Sequence, residues 1–145
     1  MTALNRSKAY LCNLVAILVF SCSNYSEVDL QVVQKIEKAT QRPIDLERDL
    51  FLLIPARRCN NCLFETTVWC KENISEIDGL KVIFLNELGS KDLKIRVGEL
   101  FLNHPRVFID SLDEIRPQNT SVSFPTIVEF KNNRMVVRPF EAFSL

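Results

Sequence analysis

Two kinds of apolar pattern alternate along this chain: residues at helical spacing and short unbroken runs. Val32, Val33, Ile36 and Ala39 recur at helical spacing up to Arg42-Pro43, where a residue before proline disfavours continuing. Ser26 with Asp29 three positions on is placed to cap this helix at its start. Residues 50–54 form an apolar run of five between Asp49 and Pro55, the pattern of a strand buried on both faces. Leu63, Thr67, Cys70 and Ile74 then share one face of a second helix. Asp78-Gly79 predicts a turn, and 82–85 a second buried strand. Ser90 is placed to cap a third helix carrying Leu93, Val97, Leu100 and Phe101 on one side, which His104-Pro105 stops. Residues 107–109, 127–130 and 135–138 read as further strands. The last two flank Asn132-Asn133, residues that tolerate the positive φ of a hairpin turn. Alternating helices and strands followed by a hairpin predict an α/β fold, a mixed sheet with helices packed on it.

The first thirty residues follow another pattern. Arg6 and Lys8 are the only charges before Glu27, and the apolar run 9–20 is broken only by Asn13. It is shorter than the ~20 residues a membrane-spanning helix needs. A basic start, a short apolar stretch and then small residues is the layout of a secretory signal. Val19-Phe20-Ser21-Cys22 resembles a bacterial lipoprotein signal. That resemblance implies a signal peptide over 1–21, lipidation of Cys22, a tether over 22–27 and one domain over 28–145. It places the protein in the bacterial cell envelope, lipid-anchored, facing the periplasm or the exterior. An uncleaved apolar helix with an incidental Cys22 is the competing reading.

Composition adds constraints. A chain of 145 residues suffices for one domain, and 47% apolar with 25% charged residues is ordinary globular composition. The 18 basic and 18 acidic side chains cancel, so no field for nucleic acid is implied. Five cysteines is an odd count, so each needs its own explanation. With Cys12 inside the signal and Cys22 lipidated, Cys59, Cys62 and Cys70 remain.

Cys59-Asn60-Asn61-Cys62 follows a buried strand and opens a helix. A helix N-terminus carries unpaired N–H groups and partial positive charge, which stabilise a thiolate. The thiolate is the form that attacks a disulfide. A second cysteine one turn deeper is placed to resolve the mixed disulfide that results. Arg57 and Arg58 bring two positive charges immediately before the pair and act in the same direction.

With Phe124-Pro125-Thr126 preceding the last strand and hairpin, this arrangement resembles the thioredoxin superfamily, in particular its membrane-tethered extracytoplasmic thiol-disulfide oxidoreductases. The resemblance covers about residues 28–140 and rests on pattern more than on identities. It implies a central mixed sheet of four to five strands flanked by helices, with the final helix reduced to Pro139 onward. Cys59 and Cys62 take the place of the catalytic cysteines. Pro125 takes that of a cis-proline lying against the disulfide, and Phe124 that of the residue whose backbone pairs with substrate. Partners are then protein thiols or disulfides and a redox partner. No dissociable cofactor is required, because the cysteines hold the two electrons. The chain departs from the family at three places: Arg58 replaces an aromatic residue, Asn60-Asn61 replaces Gly-Pro, and Leu53 stands where a buried acid assists proton transfer.

Other readings remain open at this point. The pair is also compatible with a static disulfide in a thioredoxin-fold binding or structural lipoprotein, or with half a zinc site completed by Cys70 and His104. No metal ligands are assigned. Cys70, on the apolar face, reads as a small buried hydrophobe. His104, at a helix end, reads as a partner for the last carbonyls.

Overall fold

The computed structural model describes residues 26–57, 59–85, 89–112, 114–117 and 122–141. In chain order these form α1 (Glu27–Thr40), β1 (Leu50–Pro55), α2 (Asn60–Asn73), β2 (Leu80–Leu85), α3 (Ser90–Val97), α4 (Glu99–Leu102), β3 (Val107–Asp110), β4 (Thr126–Lys131) and β5 (Arg134–Pro139). The five strands make one mixed sheet in the order β3-β2-β1-β4-β5. β1, β2 and β3 are parallel, β4 runs antiparallel to β1, and β5 returns antiparallel to β4. This is the expected α/β architecture with a C-terminal hairpin, and it is consistent with a thioredoxin-like fold. Among the described residues no helix is long and apolar enough to cross a membrane. The segment 1–25, with the expected signal, Cys22 and most of the tether, lies outside the described residues.

Alternation along β1 builds two core layers. Leu52 and Ile54 face a cluster with Leu63, Cys70 and Ile74 of the α2 segment, Leu93 and Val97 of α3, and Phe101 of α4. Phe51 and Leu53 face the opposite layer, with Val32, Val33 and Ile36 of α1. Both faces of β1 are therefore covered, which explains why its sequence is an unbroken apolar run. Leu53, which the resemblance sets where a buried acid would stand, is fully buried in the α1 layer.

Local chemistry fixes the ends of these elements. The Asp29 N–H donates to Ser26 Oγ at 3.1 Å, capping α1 as expected. Gly79 has φ +74°, and a Cβ there would lie 2.0 Å from the Arg48 carbonyl oxygen. Only glycine allows this approach, which lets the Leu50 N–H donate to the Gly79 carbonyl at 3.0 Å and starts the β1–β2 register at Leu50↔Leu80. Beside it, Lys81 pairs with Asp49 and lies 5.6 Å from the centre of the Phe51 ring. Asn132 and Asn133 both have positive φ, 52° and 60°, and close the β4–β5 hairpin.

The helix expected after position 90 is divided. Gly98, at φ +94°, separates α3 from α4. The change of direction keeps Phe101 in the core but leaves Leu100 92% exposed. Gly89, not Ser90, occupies the N-cap position of α3. No helix follows β5 as far as Glu141, and 142–145 lie outside the described residues.

Candidate active site

β1 ends at Pro55, in the middle of the sheet, with parallel β2 on one side and antiparallel β4 on the other. Reversed direction brings the start of β4 beside the end of β1: Leu53 pairs with Thr126. The loop leaving β1 therefore comes close to Phe124 and Pro125. Such a crevice, outside the carboxyl ends of parallel strands, is where open α/β sheets build sites.

Cys59 is the N-cap of α2, with extended backbone at φ −148° and ψ 103°. Its sulfur accepts a hydrogen bond from the Cys62 N–H at 3.1 Å, and its carbonyl accepts from the Leu63 N–H at 2.9 Å. Cys59 and Cys62 are joined as a disulfide, S–S 2.06 Å and Cα–Cα 5.2 Å, and both are half-buried. The Cys59 sulfur thus sits where the first N–H groups of a 14-residue helix point.

Cys62 opens onto a groove of about 400 Å³ whose wall includes Phe124, Pro125 and Phe140. Pro125 is buried and Phe124 is 65% exposed. The Phe140 N–H donates to the Pro125 carbonyl at 2.9 Å, tying this loop to the end of β5. Trp69 of α2 meets Phe140 edge-on at 4.9 Å between ring centres, linking the helix to the end of the hairpin. The Phe124 carbonyl accepts from Thr126 Oγ1 at 2.7 Å.

The cis geometry expected at Phe124-Pro125 is not found. No cis peptide bond occurs among the described residues, so the Phe124-Pro125 bond is trans, with Pro125 lining the same groove as Cys62. Trans is the ordinary preference of an X–Pro bond by about 0.5–1 kcal/mol. Of the two arginines, Arg57 is exposed next to the site, and Arg58 lies outside the described residues.

Cys70 is fully buried with a free thiol. Burial pushes that thiol up to about 12, so it keeps its proton at neutral pH and is not a third nucleophile. His104 Nδ1 accepts from the Arg106 N–H at 3.2 Å instead of meeting the last helix carbonyls. The Arg106 guanidinium takes carbonyls at another helix end, those of Ile74 and Ile77, at 3.0 Å each. The Cys₃His set does not assemble: no group of three or more His, Cys, Asp or Glu side chains placed to hold a metal is found among the described residues.

Several residues at the site belong to none of the motifs of the linear pattern. Glu65 and Glu141 line the Cys62 groove. On the other face of the first turns of α2, Arg96 of α3 donates to Asn60 Oδ1 at 2.6 Å, and both line a hollow of about 260 Å³ with Leu63 and Phe64. Glu65 was readable in principle, three positions after Cys62 and so on the same helix face. Phe140, Glu141 and Arg96 reach the site only through the hairpin and the β2–β3 connection.

No protein-family model matches the chain, and comparison with curated proteins and with solved structures finds no match to either.

Proposed function

We propose that this protein is an extracytoplasmic thiol-disulfide oxidoreductase acting on protein thiols or disulfides through Cys59 and Cys62. The observation that carries this reading is a half-exposed disulfide whose first sulfur caps a helix and whose second borders an open groove. In the oxidising direction, a substrate thiolate attacks Cys59 Sγ. The Cys59–Cys62 bond breaks, Cys62 leaves as a thiolate and takes up a proton from solvent. A second substrate thiolate then attacks the substrate's own sulfur in the mixed disulfide, and Cys59 leaves as the stabilised thiolate. The substrate has lost two electrons and the pair has gained them. In the reducing direction Cys59 attacks first and Cys62 resolves. Phe124 and Pro125 form the wall against which the substrate chain lies, and Arg57 and Arg58 add positive charge near the thiolate.

The reduction potential tests this reading. A value above about −300 mV is expected of an exchanging pair; a value well below it marks an inert structural bridge and overturns the proposal. That second outcome is the signature of a binding or structural lipoprotein, a reading favoured by the buried Leu53 where an acid would assist proton transfer.

The proposed location is the bacterial envelope, with the chain cleaved before Cys22 and held by acyl groups on that residue; more than one acyl chain is needed for stable anchoring. Mass spectrometry of the membrane fraction is expected to find an acylated N-terminal Cys22. An intact Met1 overturns the anchor without touching the redox reading.

A further inference from the structure

The two faces of the first turns of α2 differ in charge. The groove beside Cys62 combines an apolar wall, Phe124 and Phe140, with two carboxylate side chains, Glu65 and Glu141. No lysine or arginine lines it among the described residues. On the other face, the hollow lined by Asn60, Leu63 and Phe64 carries Arg96 instead. Glu65 is exposed and sits one helical turn from Cys62, so their Cβ atoms are ~5–6 Å apart.

We propose that the groove selects protein partners in which an apolar residue and then a lysine or arginine flank the reacting cysteine. This preference presupposes the redox reading above and adds the kind of partner that reading lacks. An extended chain advances ~3.3–3.6 Å per residue. A cation two residues from a cysteine bonded to Cys59 therefore lies ~7 Å along the chain, within reach of the Glu65 carboxylate. The intervening apolar side chain rests between the rings of Phe124 and Phe140, where aromatic surface is worth covering. Opposite charge raises the encounter rate, and an acidic segment brings like charges together in the same groove. Discrimination thus has an attractive and a repulsive part, and salt screens both.

The test uses the full chain with its pair oxidised and three peptides, each with one cysteine followed by leucine and then lysine, glutamine or glutamate, together with the same peptides in reverse order. Each rate of reaction with the protein is divided by the same peptide's rate with hydroxyethyl disulfide. That ratio removes the effect of the added charge on the peptide's own thiol. The lysine peptide is expected to react roughly tenfold faster than the glutamate peptide at low ionic strength in at least one order. The advantage falls toward unity in 0.5 M salt, with the ~3–8 Å screening lengths of such solutions. Glu65→Gln is expected to shrink the advantage and Glu65→Lys to reverse it, with circular dichroism confirming that both variants fold. Equal normalised rates at low salt in both orders, or a lysine preference that survives Glu65→Lys, overturn the proposal while leaving the redox reading standing. If the glutamine peptide fails to react at all, the redox reading falls and this preference with it.

Discussion

Cys62→Ala is expected to accumulate mixed disulfides through Cys59 when the reduced protein meets its proposed partners, and Cys59→Ala to accumulate none. Cys62→Ala is expected to leave the sulfur of Cys59 at the N-cap of α2, still facing the N–H of residue 62 at the positive end of the helix. What disappears is the only cysteine of the pair able to displace the substrate from it. The third thiol cannot substitute, because Cys70 is fully buried and holds its proton to about 12. The adducts are read as mass-shifted species on non-reducing gels that collapse with dithiothreitol. In Cys59→Ala, exchange is expected to fall to the background of an ordinary thiol, since the remaining Cys62 has lost its partner and does not occupy the cap. Well-folded Cys62→Ala protein that traps no partner, in the membrane fraction where it is proposed to work, sinks the catalytic role of the pair. Equal trapping by both variants shows the two cysteines to be interchangeable and sinks the assigned order of attack.

Phe84→Ala is expected to cost about 3–5 kcal/mol of folding stability. Phe84 is a fully buried side chain of β2, between β1 and β3, in the layer beneath α2, α3 and α4. It meets Phe101 edge-on, 6.4 Å between ring centres and 86° between planes. Truncation removes the buried ring and leaves a cavity that neighbours fixed in a parallel sheet cannot close. Against a typical total of ~5–15 kcal/mol, this is a large share. Urea unfolding of the oxidised protein measures it as a lower midpoint at unchanged slope. A loss under ~1 kcal/mol would mean that α3 and α4 do not pack on this face as described. The unfolding of Phe84→Ala and the trapping by Cys62→Ala are independent, because the first acts on the core beneath the sheet's helices and the second on the solvent-facing start of α2.

Much of this architecture is legible before folding. Spacing alone puts Leu63, Thr67, Cys70 and Ile74 on one face, and all four are buried. Asn132-Asn133 announced a hairpin through their tolerance of positive φ, and both adopt it. The unbroken run at β1 announced a strand covered on both sides, as its two core layers show. Other features were opaque for stated reasons. Gly98 was compatible with a continuous helix by spacing, and only its positive φ shows where the chain turns. The trans bond at Pro125 departs from what the resemblance implied, because isomer choice is a tertiary matter that the sequence of one X–Pro pair leaves open.

The periodic elements, their order and the placing of two cysteines at the start of a helix are all written into the linear chain. Each of these is local: it depends on residues within a turn or a strand of one another. The groove was decided only by tertiary structure. Antiparallel pairing of β4 with β1 carries Phe124 and Pro125 to the end of the central strand, and the hairpin returns Phe140 and Glu141 to the same place. Residues more than sixty positions apart thereby share one surface with Cys62, and no local pattern encodes that meeting. The charge difference between the two faces of α2's first turns is of the same origin. Glu65 comes from the helix itself, while Arg96 arrives on α3, brought there by the layer of apolar side chains beneath both.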